Sequence, residues 1–156
     1  MDSTSAKVGI ADTLAGYVAA VDSGDVDAYV SLFAEDGVLV PHGLAECHGQ
    51  EEIARFIERS KGSRRTSAVP GRLRHHVSPA NITLHSDEAA SAESYFLATN
   101  GWGPEHWGVY YDNLKLVGEV WRFTRRVVVV EGATPDGWIG SGTGVVKFDA
   151  YPPNSG

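Results

Sequence analysis

Three long stretches near the end of the chain, Ala89–Thr99, Trp107–Val117 and Val120–Glu131, alternate apolar and polar residues and are separated by short polar or glycine-containing connections. Alternation of this kind has the period of a half-buried β-strand, and connections this short leave no room for a crossover helix. Ser86-Asp87-Glu88 and Val117-Gly118-Glu119 read as hairpin turns, and Asn100–Glu105, with two glycines and a proline, as a wider loop. A fourth strand-like run, Arg72–Leu84, precedes them. The second half of the chain is therefore a β-meander, and any helices must come from the first half.

That half carries helical spacing. From Val8, the residues Ile10, Leu14, Tyr17, Val18 and Val21 fall on one face, and Gly24 is a stop signal. Asp25 can cap a second helix in which Val26, Tyr29, Val30 and Phe33 point inward, ended by Glu35-Asp36-Gly37. Val38–Val40 begins a strand, Pro41-His42-Gly43 turns, and Leu44–Cys47 returns. Gly49-Gln50-Glu51-Glu52-Ile53 opens a third helix with its acidic residues where the helix dipole favours them. Ser60 to Gly71 reads as a loop. Helices first and antiparallel strands last give an α+β domain: three N-terminal helices packed on a strongly curved, mainly antiparallel sheet, a cone-shaped α+β barrel with a cavity between the layers.

The bulk properties narrow the function. A net charge of −7 over 156 residues disfavours nucleic acid, which needs clustered Lys and Arg. Cys47 is the only cysteine, so neither an internal disulfide nor a cysteine metal cluster can form. The six histidines show no close-spaced ligand motif, and no Gly-rich phosphate loop sits between a strand and a helix, so neither a metal nor a nucleotide cofactor is expected. The first residues lack the pattern of a signal peptide and no apolar run is long enough to cross a bilayer, so a soluble cytoplasmic protein without a membrane partner is the expectation.

The chemistry-bearing candidates centre on His75-His76 inside the first strand run. Neighbouring strand residues face opposite sides, so only one imidazole can enter the cavity; a β-bulge near Ser78-Pro79 would exchange the two. Asp22 stands in the last turn of the first helix, at the end where the helix dipole gives a carboxylate no help. Its ordinary role is a polar helix end; its functional role requires hydrogen-bond reach of an imidazole. Tyr17, one turn and a residue earlier, is a core position whose phenol can also polarise a carbonyl. Trp102, Trp107 and Tyr111 crowd the third strand and its loop, where aromatics suit either an apolar ligand or a subunit interface. With His42 at the first turn, they are the candidate ligand contacts.

Six segments, in order, carry a resemblance: Tyr17…Val21-Asp22-Ser23-Gly24-Asp25, Leu32-Phe33-Ala34-Glu35-Asp36-Gly37-Val38, Gly49-Gln50-Glu51-Glu52-Ile53, Arg74-His75-His76-Val77, Gly108-Val109-Tyr110-Tyr111-Asp112 and Trp121-Arg122-Phe123. Their order and spacing over residues 8–131 resemble the SnoaL-like branch of the nuclear transport factor two superfamily. That superfamily includes scytalone dehydratase, a hexachlorocyclohexane dehydrochlorinase, polyketide cyclases, limonene epoxide hydrolase and non-catalytic carriers. The dehydratase and the dehydrochlorinase have an Asp near the end of the first helix, matching Asp22. Each also has a His in the first long strand, matching His76 better than His75. In those enzymes the Asp orients the His, and the His takes a proton from carbon. The chain departs from the dehydratase at Val21, where that enzyme has a tyrosine, and near its second histidine, where Trp107 falls and His106 is one residue out.

The resemblance implies a cofactor-independent lyase, isomerase or cyclase acting on a small, largely apolar carbonyl metabolite, polyketide- or terpenoid-like, with Asp22, His76 and Tyr17 catalytic. His75, Trp102, Trp107, Tyr111 and His42 would line the ligand site. A non-catalytic binding protein with the same cavity, or a hydrolase activating water, stays open beside it. Residues 1–7 are expected as a disordered tail, 8–131 as the domain, and 132–156 as an extension packing on the domain or on a partner subunit. A homodimer is expected, because the outer face of such a sheet usually needs covering.

Overall fold

The computed structural model describes residues 2–65 and 73–134. Helix α1 is Ser3–Ser23, α2 is Val26–Ser31 and α3 is Gly49–Arg65; the strands are β1 Phe33–Val40, β2 Cys47–His48, β3 Arg74–Val77, β4 Asn81–Leu84, β5 Ala89–Asn100, β6 Gly103–Val117 and β7 Val120–Ala133. The strands form one sheet in the order β2-β1-β7-β6-β5-β3, with β4 also on β5. The β1–β7 pair is parallel and every other pair antiparallel, and the sheet is curled but not closed. This is the α+β architecture the sequence order demands.

The first helix begins at Ser3, not near Val8. The Asp2 side chain accepts from the Thr4 and Ser5 amides and caps it, so most of the segment expected as a loose tail is helical. Its other end is as expected: Gly24 has φ 71° and donates to the Ala20 carbonyl, a left-handed cap that glycine adopts without strain. Ile10, Leu14, Tyr17 and Ala20 are buried along one face. Each large apolar side chain removed from water there contributes about 1.5–3 kcal/mol. Gly9 lets the helix close on β7, since a Cβ at that position would lie 3.0 Å from the Trp121 ring.

Asp25 caps α2 through the Ala28 amide, but Phe33 starts β1 instead of closing the helix, and Glu35-Asp36-Gly37 lies within that strand. The parallel register with β7 jumps between Phe33 and Val38, so these residues form a bulge. A Cβ on Gly37 would sit 2.9 Å from two carbonyl oxygens, which is why a glycine closes the irregularity. Helix α3 runs past the expected loop start at Ser60 to Arg65. The β5–β6 connection is a tight turn with Asn100 opposite Gly103, not a wide loop, and β6 starts four residues before Trp107.

The expected Arg72–Leu84 strand is broken into β3 and β4 by Ser78–Ala80. Four steps of chain from Val77 to Asn81 face only three on β5, from Phe96 to Glu93. One residue is therefore extra, and the side chains change faces across the break. The remainder of the expected loop, 66–72, and the expected extension beyond Thr134 lie outside the described residues.

Candidate active site

Register places the site. His75 is opposite Ala98, and Ala98 is opposite His106, so the three share one row on the inner face, toward α1. The next inner row is Val77, Phe96, Gly108 and Val130. Ala98 has only a methyl group and is fully buried, which lets the two imidazoles on either side approach: their centroids are 6.0 Å apart, edge to face. Phe96 stands 5.6 Å from the His106 ring and stacks on Tyr110 at 4.4 Å, an apolar floor beside the histidines.

Helix α1 delivers Asp22 onto this row. Its Oδ1 is 2.8 Å from His75 Nδ1, and the His75 backbone N–H points at both carboxylate oxygens at 3.2 Å. The side chains are 8% and 12% exposed, so the contact is shielded from water. Arg74 Nη1 lies 3.7 Å from Asp22 Oδ2 and 3.5 Å from its carbonyl oxygen. Backbone donor, imidazole and guanidinium together compensate a carboxylate at the unfavourable end of a helix dipole. A carboxylate only accepts, so His75 carries a proton on Nδ1, and in the neutral ring the lone pair is then on Nε2.

His76 faces the other way. It is exposed and reaches Thr99 Oγ1 at 3.2 Å, in the outer row with Leu97 and Trp107. The inward-facing place expected for His76 belongs to His75, and the one-residue bulge at Ser78–Ala80 is the physical reason. The other expected contacts separate as well. Tyr17 is in the core, its ring against Tyr29, Tyr110 and Phe123, its hydroxyl accepting from Tyr29 at 3.3 Å. Trp107 and Tyr111 are on the outer face of β6, 40% and 46% exposed, because the odd positions from 107 onward point outward there. Trp102 is exposed in the β5–β6 turn. His42 uses Nδ1 to accept from the Val130 amide at 3.1 Å, and burial holds its pKa below the usual imidazole range.

The structure adds residues the sequence reading passed over. Glu105 is the extra residue of a bulge in β6, since Ala98 pairs with His106 and Thr99 with Pro104. Both Glu105 and His106 consequently point into the protein, and Glu105 Oε2 contacts His106 Nδ1. Deeper along the sheet, Asp112 and Arg126 are directly opposite, with Oδ1 3.2 Å from Nε. The Arg126 guanidinium lies 3.6 Å from the Tyr17 ring centroid and 4.1 Å from that of Tyr110. Burial pushes the Asp112 carboxyl up to about 6 against the pull of Arg126. His106 to Asp112 is about 20 Å along the strand, so this pair belongs to the core and not to the histidine row.

At the opposite end of β6, Glu35, Asp36, Gln50, Lys115 and Arg122 rim an open concavity of about 810 Å³, crossed by the Lys115–Asp36 ion pair. It holds none of the imidazoles. Among the described residues no cluster of three or more His, Cys, Asp or Glu is arranged to hold a metal ion, and no helix is long and apolar enough to cross a membrane.

Residues 2–127 match the family model of the SnoaL-like domain, and the chain belongs to that family. Among solved structures it is similar to a protein of unknown function with a cystatin-like fold from Nostoc punctiforme PCC 73102, at 25% identity, TM-score 0.70, covering 83% of this chain and 93% of that one. It is also similar to a protein from Novosphingobium aromaticivorans DSM 12444 that carries the name of scytalone dehydratase, at 21% identity, TM-score 0.68, covering 81% and 84%. LinA is similar at 16% identity and TM-score 0.73, covering 95% of both chains. At these last two identities the likeness establishes the cystatin-like, nuclear-transport-factor-two-like fold.

Proposed function

We propose that this protein is a cofactor-independent enzyme of the lyase, isomerase or cyclase type, in which His75 removes a proton from carbon in a small, largely apolar carbonyl compound. The observation that carries this reading is the buried Asp22–His75 contact at 2.8 Å. Asp22 fixes the tautomer that presents Nε2 as a lone pair, then stabilises the imidazolium formed when the proton is taken. Phe96 offers an apolar surface against His106, the imidazole that stands edge to face with His75. The names of two structural neighbours, scytalone dehydratase and LinA, are consistent with this class.

A pure carrier has no need to shield an oriented imidazole–carboxylate pair from water, so the catalytic reading is preferred to the binding one. Proton abstraction from carbon is read directly by following deuterium uptake at the α-carbon in D₂O, using a panel of aryl and cyclic ketones. The enzyme reading requires uptake above the buffer rate on at least one of them. Binding without uptake across the panel would make the protein a carrier. The exposed Tyr95, Trp107 and Tyr111 on the outer sheet face support a homodimer, and sedimentation showing a monomer at micromolar concentration would remove that part.

A further inference from the structure

Two neighbouring residues of β3 share the Asp22 carboxylate. His75 turns inward and brings Nδ1 to Oδ1 at 2.8 Å. Arg74 starts from the opposite face, yet its Nη1 lies 3.7 Å from Oδ2 and 3.5 Å from the Asp22 carbonyl oxygen. Side chains from both faces can meet one group here because β3 is the last strand of the sheet and nothing flanks its outer edge. The two contacts differ in kind. The His75 side chain is 8% exposed and that of Arg74 47%, and 3.7 Å is beyond a hydrogen bond to the carboxylate. Arg74 therefore acts on Asp22 as a nearby charge and not as a bidentate clamp.

Resting on the reading above, we propose that Arg74 is a positioning residue for the base: its charge, placed on Asp22, sets the pH at which the His75 ring becomes neutral and able to take a proton. An arginine stays charged throughout. With His75 neutral, Asp22 and Arg74 balance; with His75 protonated, the three groups carry one uncompensated positive charge. Asp22 favours the imidazolium and Arg74 opposes it, so His75 sheds its proton at a lower pH than Asp22 alone would allow. Activity then extends further to the acid side. The other groups facing His75 do not supply this effect. Among the described residues, β6 brings His106, edge to face with the ring at 6.0 Å and engaged by Glu105. The β5 residues opposite, Leu97, Ala98 and Thr99, carry no charge. Lys61 of α3 lies against Gly24 and pairs with Glu58 at 3.6 Å. Because Arg74 is half-exposed, its influence is modest and screened by salt, whereas the shielded Asp22–His75 contact is screened much less.

The test compares the full chain with Arg74→Gln and Arg74→Lys, circular dichroism checking that each is folded. The His75 ring is titrated by NMR, its signal assigned by its loss in His75→Gln, at low and at high ionic strength. His106 and Glu105 are common to all three proteins and drop out of the comparison. In Arg74→Gln the ring should hold its proton roughly two- to fivefold more tightly, the scale of a half-exposed charge pair. Arg74→Lys, which keeps the charge, should restore most of the difference. High salt should move the wild type toward Arg74→Gln and leave that variant nearly where it was. The acid limb of kcat/KM for α-deuterium exchange of butyrophenone should shift in parallel with the ring. The same midpoint in wild type and folded Arg74→Gln, or a lower one in the variant, overturns the proposal, as does an Arg74→Lys that behaves like Arg74→Gln. Exchange that proceeds with an unmoved acid limb overturns this proposal alone. A wild type that exchanges no ketone of the panel overturns the enzyme reading beneath it, and this proposal with it.

Discussion

The Asp22 carboxylate takes two kinds of hydrogen bond from one residue: His75 presents its backbone N–H to both oxygens at 3.2 Å and its Nδ1 to Oδ1 at 2.8 Å. A single side chain thereby ties the last turn of α1 to the edge strand β3 and sets the orientation of the imidazole. Holding the fold and orienting the His75 ring are one interaction.

Stability should report this link. Asp22→Ala leaves the His75 amide and ring nitrogen without their acceptor, and a buried polar group left unsatisfied costs about 1–3 kcal/mol. Urea denaturation should show a lower midpoint by that amount, with little change in slope. A variant as stable as the wild type would mean that water replaces the carboxylate at no cost.

His76→Ala should change stability by less than about 0.5 kcal/mol, the usual range for a surface position. Its ring is exposed and touches only Thr99 among its described contacts. A loss comparable to that of Asp22→Ala, in the same denaturation series, would contradict the facing of β3.

That facing shows where sequence reading runs out. The core face of α1, the caps at Gly24 and Asp25, and the three long strands follow from periodicity and punctuation, because those signals act within a few residues. The exchange of His75 and His76 depends on one extra residue at Ser78–Ala80, which alters every facing upstream of it. A local signal existed: Val77 is apolar and shares its face with His75, whereas His76 shares its face with Arg74. Glu105 had no comparable signal. Two adjacent polar residues cannot both face inward in a regular strand, and only the bulge opposite Ala98 and Thr99 makes it so. The helical start at Ser3 was readable from Asp2 as a cap, but the polar run Ser3-Thr4-Ser5 resembles a tail just as well.

The buried Asp112 predicts a pH dependence of stability. Its carboxyl is raised to about 6 by burial, with Arg126 opposing. The folded state then binds its proton more tightly than the unfolded chain does. Asp112 therefore contributes stability that is full below pH about 4 and is lost as pH rises through about 6, amounting to at most about 3 kcal/mol. Asp112→Asn removes this titration. Relative to wild type, the variant should be better placed at pH 7.5 than at pH 4.5, and melts at the two pH values check the sign. An unchanged difference would mean that Arg126 keeps Asp112 ionised throughout.

Gly108 is required by packing. It faces inward beside Val130, and a Cβ there would fall well inside contact distance of the Val129 carbonyl. Gly108→Ala should abolish cooperative unfolding or lower the melting temperature by more than 10 °C, the scale of a loss above about 3 kcal/mol in a domain of this size. By contrast, a Cβ added at Gly103 meets nothing within 4 Å, so Gly103→Ala carries only the strain of a φ of 131°. Parallel thermal melts of the two variants check this, and an equal, small shift in both would contradict a packing role for Gly108.

The claim on which the functional account turns is that His75, held by Asp22, is the base. The most direct measurement is α-carbon deuterium uptake with the best ketone of the panel, compared in His75→Ala, His76→Ala and Asp22→Asn, each shown to be folded. Uptake should fall roughly 10²–10⁴-fold in His75→Ala, fall in Asp22→Asn, and stay at the wild-type rate in His76→Ala; the double variant at Asp22 and His75 should be no slower than His75→Ala alone. Full uptake in folded His75→Ala, or a loss confined to His76→Ala, would contradict it.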